Sequence, residues 1–68
     1  MKLSARNQLE GQVVEVKRGQ TTAHIRIDIG GGTIVTSSIT NEAADELNLK
    51  TGDKATALIK AYDVMVGK

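Results

Sequence analysis

Cysteine, phenylalanine and tryptophan are absent from these 68 residues, and Tyr62 is the only residue of the Phe, Trp and Tyr class. Without cysteine there is no disulfide framework and no thiolate metal site, and the single histidine, His24, does not make a zinc site alone. The lack of thiols fits a reducing compartment. Without Phe or Trp the core must be assembled from small pieces. Val and Ile supply most of the bulky apolar residues, and such β-branched side chains favour pleated, half-buried surfaces. Ordering the backbone costs about 1–2 kcal/mol per residue, and a domain this small buries a limited part of its surface. With no staple in the sequence, association is the remaining route to burying more apolar area, so an obligate homo-oligomer is expected.

Charge of one sign is also missing. The net charge is +1, with acids and bases mixed along the chain, which argues against a dedicated nucleic-acid binder with its basic excess or stripe. No apolar run approaches membrane-spanning length. Residues 1–9 lack the apolar centre of a signal peptide, so the expected location is the cytoplasm.

What is present is a strand pattern. A first run begins near Arg6, carries Val13, Val14 and Val16, and ends at a turn of Lys17, Arg18, Gly19 and Gln20. Residues 22–29 then alternate, with Ala23, Ile25, Ile27 and Ile29 on one side and His24, Arg26 and Asp28 on the other. Gly30, Gly31 and Gly32 form a turn, and residues 33–39 read as a third strand. Thr40 is suited to cap a helix running through Asn48, with Asn41 as the competing cap and Glu42 placing negative charge in the first turn. A turn at residues 50–53 leads into a last strand over 54–66, with Thr56, Leu58, Lys60, Tyr62, Val64 and Val66 on one face. The order β-β-β-α-β predicts one all-β domain with one short helix, a small OB-like barrel spanning residues 1–68. A fifth strand must come from a bend in a long strand, for which Gly11 is the candidate, or from a neighbouring subunit.

Catalytic chemistry has little to work with. Ser4, Ser37 and Ser38 have no histidine at a telling distance, His24 lies on a polar strand face, and Glu42, Asp45 and Glu46 read as a solvated helix face. The glycine run lacks the Lys-Ser/Thr ending of a P-loop and the strand-to-helix setting of a dinucleotide fingerprint. The informative segment is Ser4-Ala5-Arg6-Asn7-Gln8, a hydroxyl, a guanidinium and two amides ahead of the first strand. It reads either as a frayed polar terminus or as convergent donors, since Ser4 and Arg6 face the same way on an extended chain. Lys60 stands among apolar neighbours, where it either snorkels or meets an anion. The start of the helix at Thr40 offers amide N–H groups to the same kind of ligand.

Ser4-Ala5-Arg6-Asn7-Gln8-Leu9, followed by a glycine and a Val-rich strand, together with Lys60-Ala61-Tyr62-Asp63-Val64-Met65, resembles the molbindin family of small Mop-type proteins. The likeness covers essentially the whole chain. It implies an OB-like fold, a hexamer arranged as a trimer of dimers, and molybdate or tungstate bound at subunit interfaces, with no catalysis, no organic cofactor and no directly liganded metal. Carried over, Ser4, Arg6 and Lys60 match anion-contacting positions, with Ala5 between the first two. Thr40 falls where a hydroxyl comes from the partner subunit. Ala43 and Ala61 stand where relatives often place serine, so two hydroxyl donors are lost and only backbone N–H groups are left to donate at both places. The resemblance also implies a second class of site near three-fold axes, for which Lys17, Arg18, Gly19 and Gln20 are the candidates.

Two other functions compete. A single-strand nucleic-acid binder of the OB type stacks bases on aromatics along a basic groove, and one tyrosine with a net charge of +1 supplies neither. Residues 44–53 are similar to the helix-turn segment of swapped-hairpin DNA-binding dimers of the AbrB type. The basic, proline-containing stretch expected before that helix is missing, because Thr36, Ser37, Ser38 and Ile39 carry no base. An oligomer whose anion sites are vestigial is the third alternative.

Overall fold

The computed structural model describes residues 2–68. One strand organises it. β1 (Asn7–Arg18) is long enough to serve two neighbours: its second half pairs with β2 (Thr22–Asp28) and its first half with β4 (Lys54–Ile59). β3 (Ile34–Thr40) pairs with β2, so the sheet runs β3-β2-β1-β4, antiparallel throughout. Gln12 is where the two halves of β1 meet, facing Asp28 on one side and Lys54 on the other. A bulge between Val13 and Glu15 adds local twist just beyond it.

Gly11 makes this curl possible. A Cβ added there would lie 2.4 Å from the Asp28 carbonyl oxygen and 2.8 Å from Ile27 Cγ2. β1 and β2 therefore approach too closely for any side chain at Gly11, the candidate bend, while the irregularity in the ladder lies two residues on, between Val13 and Glu15. The β2–β3 hairpin closes through Gly30, Gly31 and Gly32, whose φ values of 114°, 61° and 80° lie in the left-handed region. The Gly30 N–H donates to Asp28 Oδ1 at 2.8 Å and the Thr33 N–H to the Gly30 carbonyl at 3.1 Å. The run is thus a hairpin turn.

The alternation in β2 does what its pattern predicts. Ala23, Ile25 and Ile27 are buried while His24 and Arg26 face out. With Val13, Ala44 and Ala57 they form the core, edged by Leu9, Val16, Val35, Ile39 and Leu49. Ala44 comes from α1 (Asn41–Glu46), which packs on β2 and β3 and is capped by Thr40 as expected. Asn41, the rival cap, is instead the first helical residue, and its Nδ2 donates to the Gly19 carbonyl. No helix among the described residues is long and apolar enough to cross a membrane.

The last strand is shorter than the sequence pattern predicts. β4 stops at Ile59, Ala61–Asp63 form a single 3-10 turn, and residues 64–68 have no regular structure. The cause is the absence of a partner. Asn7 is the last β1 residue paired with β4, so among the described residues no strand pairs with the chain beyond Ile59. The shared face anticipated for Lys60, Tyr62, Val64 and Val66 therefore does not form. Met65 and Val66 are 93% and 94% exposed instead. Among the described residues β3 and β4 do not pair, so the barrel stays open between them.

Replacing Gly11 with alanine tests the curl. The atom in the way is backbone and cannot rotate aside, so Gly11→Ala should cost at least the 1–3 kcal/mol typical of overpacking, as an order of magnitude. Urea unfolding at fixed protein concentration should show a lower midpoint. An unchanged midpoint would mean that β1 and β2 do not approach this closely.

Candidate functional site

The register of β1 and β4 decides where the candidate donors lie. Asn7 pairs with Ile59 as the last rung, and the Asn7 side chain reinforces it, Nδ2 donating to the Ile59 carbonyl at 3.1 Å. Arg6 and Lys60 are the next residues on the two chains, so both cations leave the sheet at the same end. Gln8 Nε2 donates back to the Ala5 carbonyl at 3.2 Å and holds the segment before β1 against the strand. This segment is thus tied at two points. Ser4, Arg6, Lys60 and Ala61 are exposed and Ala5 half-buried, which gathers five of the anticipated residues at one end of β1.

Arg6 and Lys60 carry uncompensated charge. Among the described residues the ion pairs are Arg18 with Asp45 and, at 4.0 Å, Arg26 with Glu15. Neither takes a charge from the Arg6–Lys60 end. Lys60 Nζ lies instead over the ring of Tyr62, 5.3 Å from its centroid. An arginine offers planar, directional donors and a lysine a mobile point charge, a combination suited to a small dianion. Among the described residues no group of three or more His, Cys, Asp and Glu side chains is placed to hold a metal ion.

Thr40 and Ala43 lie elsewhere. Thr40 faces Thr22, next to the rung where Ala23 meets Arg18, so it belongs to the far end of β1 from Arg6. Its hydroxyl oxygen accepts from the Ala43 N–H at 3.0 Å, and the Asn41 N–H donates to the Thr21 carbonyl at 2.9 Å. Two amides at the start of α1 are thereby engaged, while the Thr40 hydroxyl proton remains able to donate. A single chain does not bring Thr40 and Ala43 to the end that carries Arg6 and Lys60.

The turn of Lys17, Arg18, Gly19 and Gln20 is bound into the scaffold. The Arg18 guanidinium pairs with the Asp45 carboxylate of α1, the Gly19 carbonyl accepts from Asn41, and the Gly19 N–H donates to the Thr22 carbonyl at 2.7 Å. Lys17 stands opposite His24 on the outer face. Asp45, read from sequence as one of three solvated acids, is the Arg18 partner. Nothing local signals this, since the two residues are 27 apart. The sequence offers Asn7 as a donor of the N-terminal segment and Tyr62 as a strand residue, and the structure gives them other places. Their sites depend on the β1–β4 register and on the turn after β4.

Two concave surfaces of the single chain have neither Arg6 nor Lys60 in their walls. A cleft of about 480 Å³ in the open side of the barrel is lined by Ile25, Ile27, Ile39, Leu49 and Leu58, and is mainly apolar. Another of about 670 Å³ lies around Gly11 and Gly30, with Glu10, Asp28 and Lys54 at its walls.

The structure is a small curled antiparallel sheet with one short helix and an exposed cationic end, and the chain belongs to the TOBE domain family, which residues 3–66 match. Over 67 residues it is 52% identical to a probable molybdenum-pterin-binding protein of Haemophilus influenzae, covering 98% of this chain and 97% of the relative. Its fold is similar to that of MopII from Clostridium pasteurianum, with a TM-score of 0.92, 43% identity, and coverage of 98% and 100% of the two chains. A molybdate-binding protein from Sporomusa ovata superposes as well, with a TM-score of 0.92, 43% identity and full coverage of both chains. The similarity therefore extends over whole chains, and the relatives are named as binding proteins. Neither nucleic-acid reading is favoured by these likenesses.

The Thr40 cap yields a direct test. Thr40→Ala should lower stability by about 1 kcal/mol, as loss of an N-cap typically does, while Thr40→Ser retains the oxygen and most of the stability. Equal losses in the two variants, measured by denaturant unfolding, would contradict the capping role.

Proposed function

We propose that this chain binds molybdate or tungstate inside the cell, as a store or buffer of the oxyanion, in sites shared between subunits of a homo-oligomer, and that it catalyses no reaction. The 68 residues act in this as one molbindin-like domain. The observation that carries the reading is the placement of Arg6 and Lys60 on adjoining chain ends, neither in an ion pair among the described residues, in a fold whose relatives are named for molybdate or molybdenum-pterin binding.

A tetrahedral dianion between Arg6 and Lys60 meets two positive charges, so the local charge balances, and hydroxyl and amide donors satisfy its oxygens. Ser4 and the backbone at Ala5 and Ala61 lie on the same side. Thr40 and Ala43 sit at the other end of β1, so the full donor set requires a second chain. Three further features favour association: the unpaired edges of β3 and β4, the apolar cleft between them, and exposed Val64, Met65 and Val66. A long edge strand without charge, such as β3, is a ready template for pairing. We infer a hexamer built as a trimer of dimers. The turn of Lys17, Arg18, Gly19 and Gln20 is proposed as a secondary anion site on the oligomer, with Lys17 as its free cation.

Molybdate titration calorimetry on variants tests the site. Removing one partner of a close charge pair at an interface costs on the order of 2–5 kcal/mol, so Arg6→Ala and Lys60→Ala should each weaken binding by at least about 30-fold. The sedimentation coefficient should not change. Ala61→Ser restores a hydroxyl beside Lys60 and should tighten binding by about tenfold, given roughly 1.5–3 kcal/mol for a hydrogen bond to a charged group. The gain from Ala43→Ser should be smaller, because the amide of Ala43 is already held by Thr40. Wild-type affinity in both alanine variants would place the site elsewhere.

A further inference from the structure

Tyr62 is the only Phe, Trp or Tyr residue of the chain, and it is 79% exposed, so packing within the chain does not account for it. What it touches is Lys60, whose ammonium lies 5.3 Å from the ring centroid. The backbone between them is fixed. The Asp63 N–H donates to the Lys60 carbonyl at 3.0 Å and the Val64 N–H to the Ala61 carbonyl at 3.2 Å, closing a single 3-10 turn. That turn holds the lysine and the ring two residues apart at the end of β4. Asp63, though next to the ring, makes no ion pair with Lys60 among the described residues.

We propose that Tyr62 is a positioning residue for the anion site: its ring holds the Lys60 ammonium in place before the ligand arrives. The proposal rests on the oxyanion-binding reading above. A lysine side chain is mobile, and a ligand that must order it loses part of its binding free energy to that ordering. A carboxylate could also hold the lysine, but it would cancel the charge that a dianion requires. An aromatic face attracts the cation through its quadrupole and leaves the full positive charge in place. The ring therefore orients without neutralising, and the ligand meets a cation already confined near Arg6.

Three replacements separate the ring from its hydroxyl and its bulk. In the ligand-free protein with isotope-labelled lysine, the ε-methylene protons of Lys60 should show an upfield ring-current shift. Tyr62→Phe should keep it and Tyr62→Leu should lose it. In molybdate calorimetry, Tyr62→Leu should bind about 2- to 5-fold more weakly, matching the strength of an exposed cation–π contact. Tyr62→Phe should bind as wild type, and Tyr62→Trp at least as tightly. In a Lys60→Ala background, Tyr62→Leu should change nothing further. Wild-type affinity in Tyr62→Leu, or failure of Tyr62→Phe to rescue, would overturn the proposal. Absence of molybdate binding by the wild-type protein would instead overturn the functional reading, a result distinct from any difference among the Tyr62 variants.

Discussion

The close approach of β1 to β2 at Gly11 is the constraint on which the rest of the molecule depends. A flat sheet of four short strands would leave both faces wet and could not shelter six small apolar side chains. Because no Cβ stands between Gly11 and the Asp28 carbonyl, β1 can turn from β2 to β4 within one strand. The two halves of the sheet then close over Val13, Ile25 and Ile27. The β1–β4 register in turn delivers Arg6 and Lys60 to one end.

The electrostatics follow from what each cation is given to pair with. Arg18 is neutralised by Asp45 and serves to fasten α1 to the end of β1. Among the described residues Arg6 and Lys60 make no ion pair, and the turn after β4 supplies Lys60 with a ring instead. Two like charges at one end of a small sheet repel each other, and a dianion between them relieves that repulsion. Donors on α1 face a different region of the chain. On the proposed reading the site is built by association, which is also what a core of Val, Ile and Ala needs, and ligand binding and assembly would then be coupled by the same surface.

Much of this was legible in the residues. The alternation of Ala23, Ile25 and Ile27 against His24 and Arg26 gave β2 and its buried face. The three glycines gave the hairpin, and Thr40 gave the helix start. Period-two alternation failed after Ile59, because a strand needs a neighbour as well as a pattern, and within one chain β1 ends opposite Ile59. The Ser4-Ala5-Arg6 and Lys60-Ala61 segments stood out by composition and by resemblance. Their adjacency depends on pairing between residues 52 apart in sequence, as does the hydrogen bond from Asn7 to Ile59. The Arg18–Asp45 pair was not legible, since a charge on a helix acquires its partner only when the chain folds, whereas Lys60 and Tyr62 read as same-face neighbours of a strand and meet instead through a 3-10 turn.

The central claim is that the oxyanion site exists only where subunits meet. Native mass spectrometry of the protein over a dilution series in molybdate tests it most directly, because each oligomeric state is weighed with its bound ligand. The account predicts molybdate mass on the assembled species, hexamer foremost, and none on the monomer at any dilution. Monomer carrying molybdate in proportion to its abundance would contradict it.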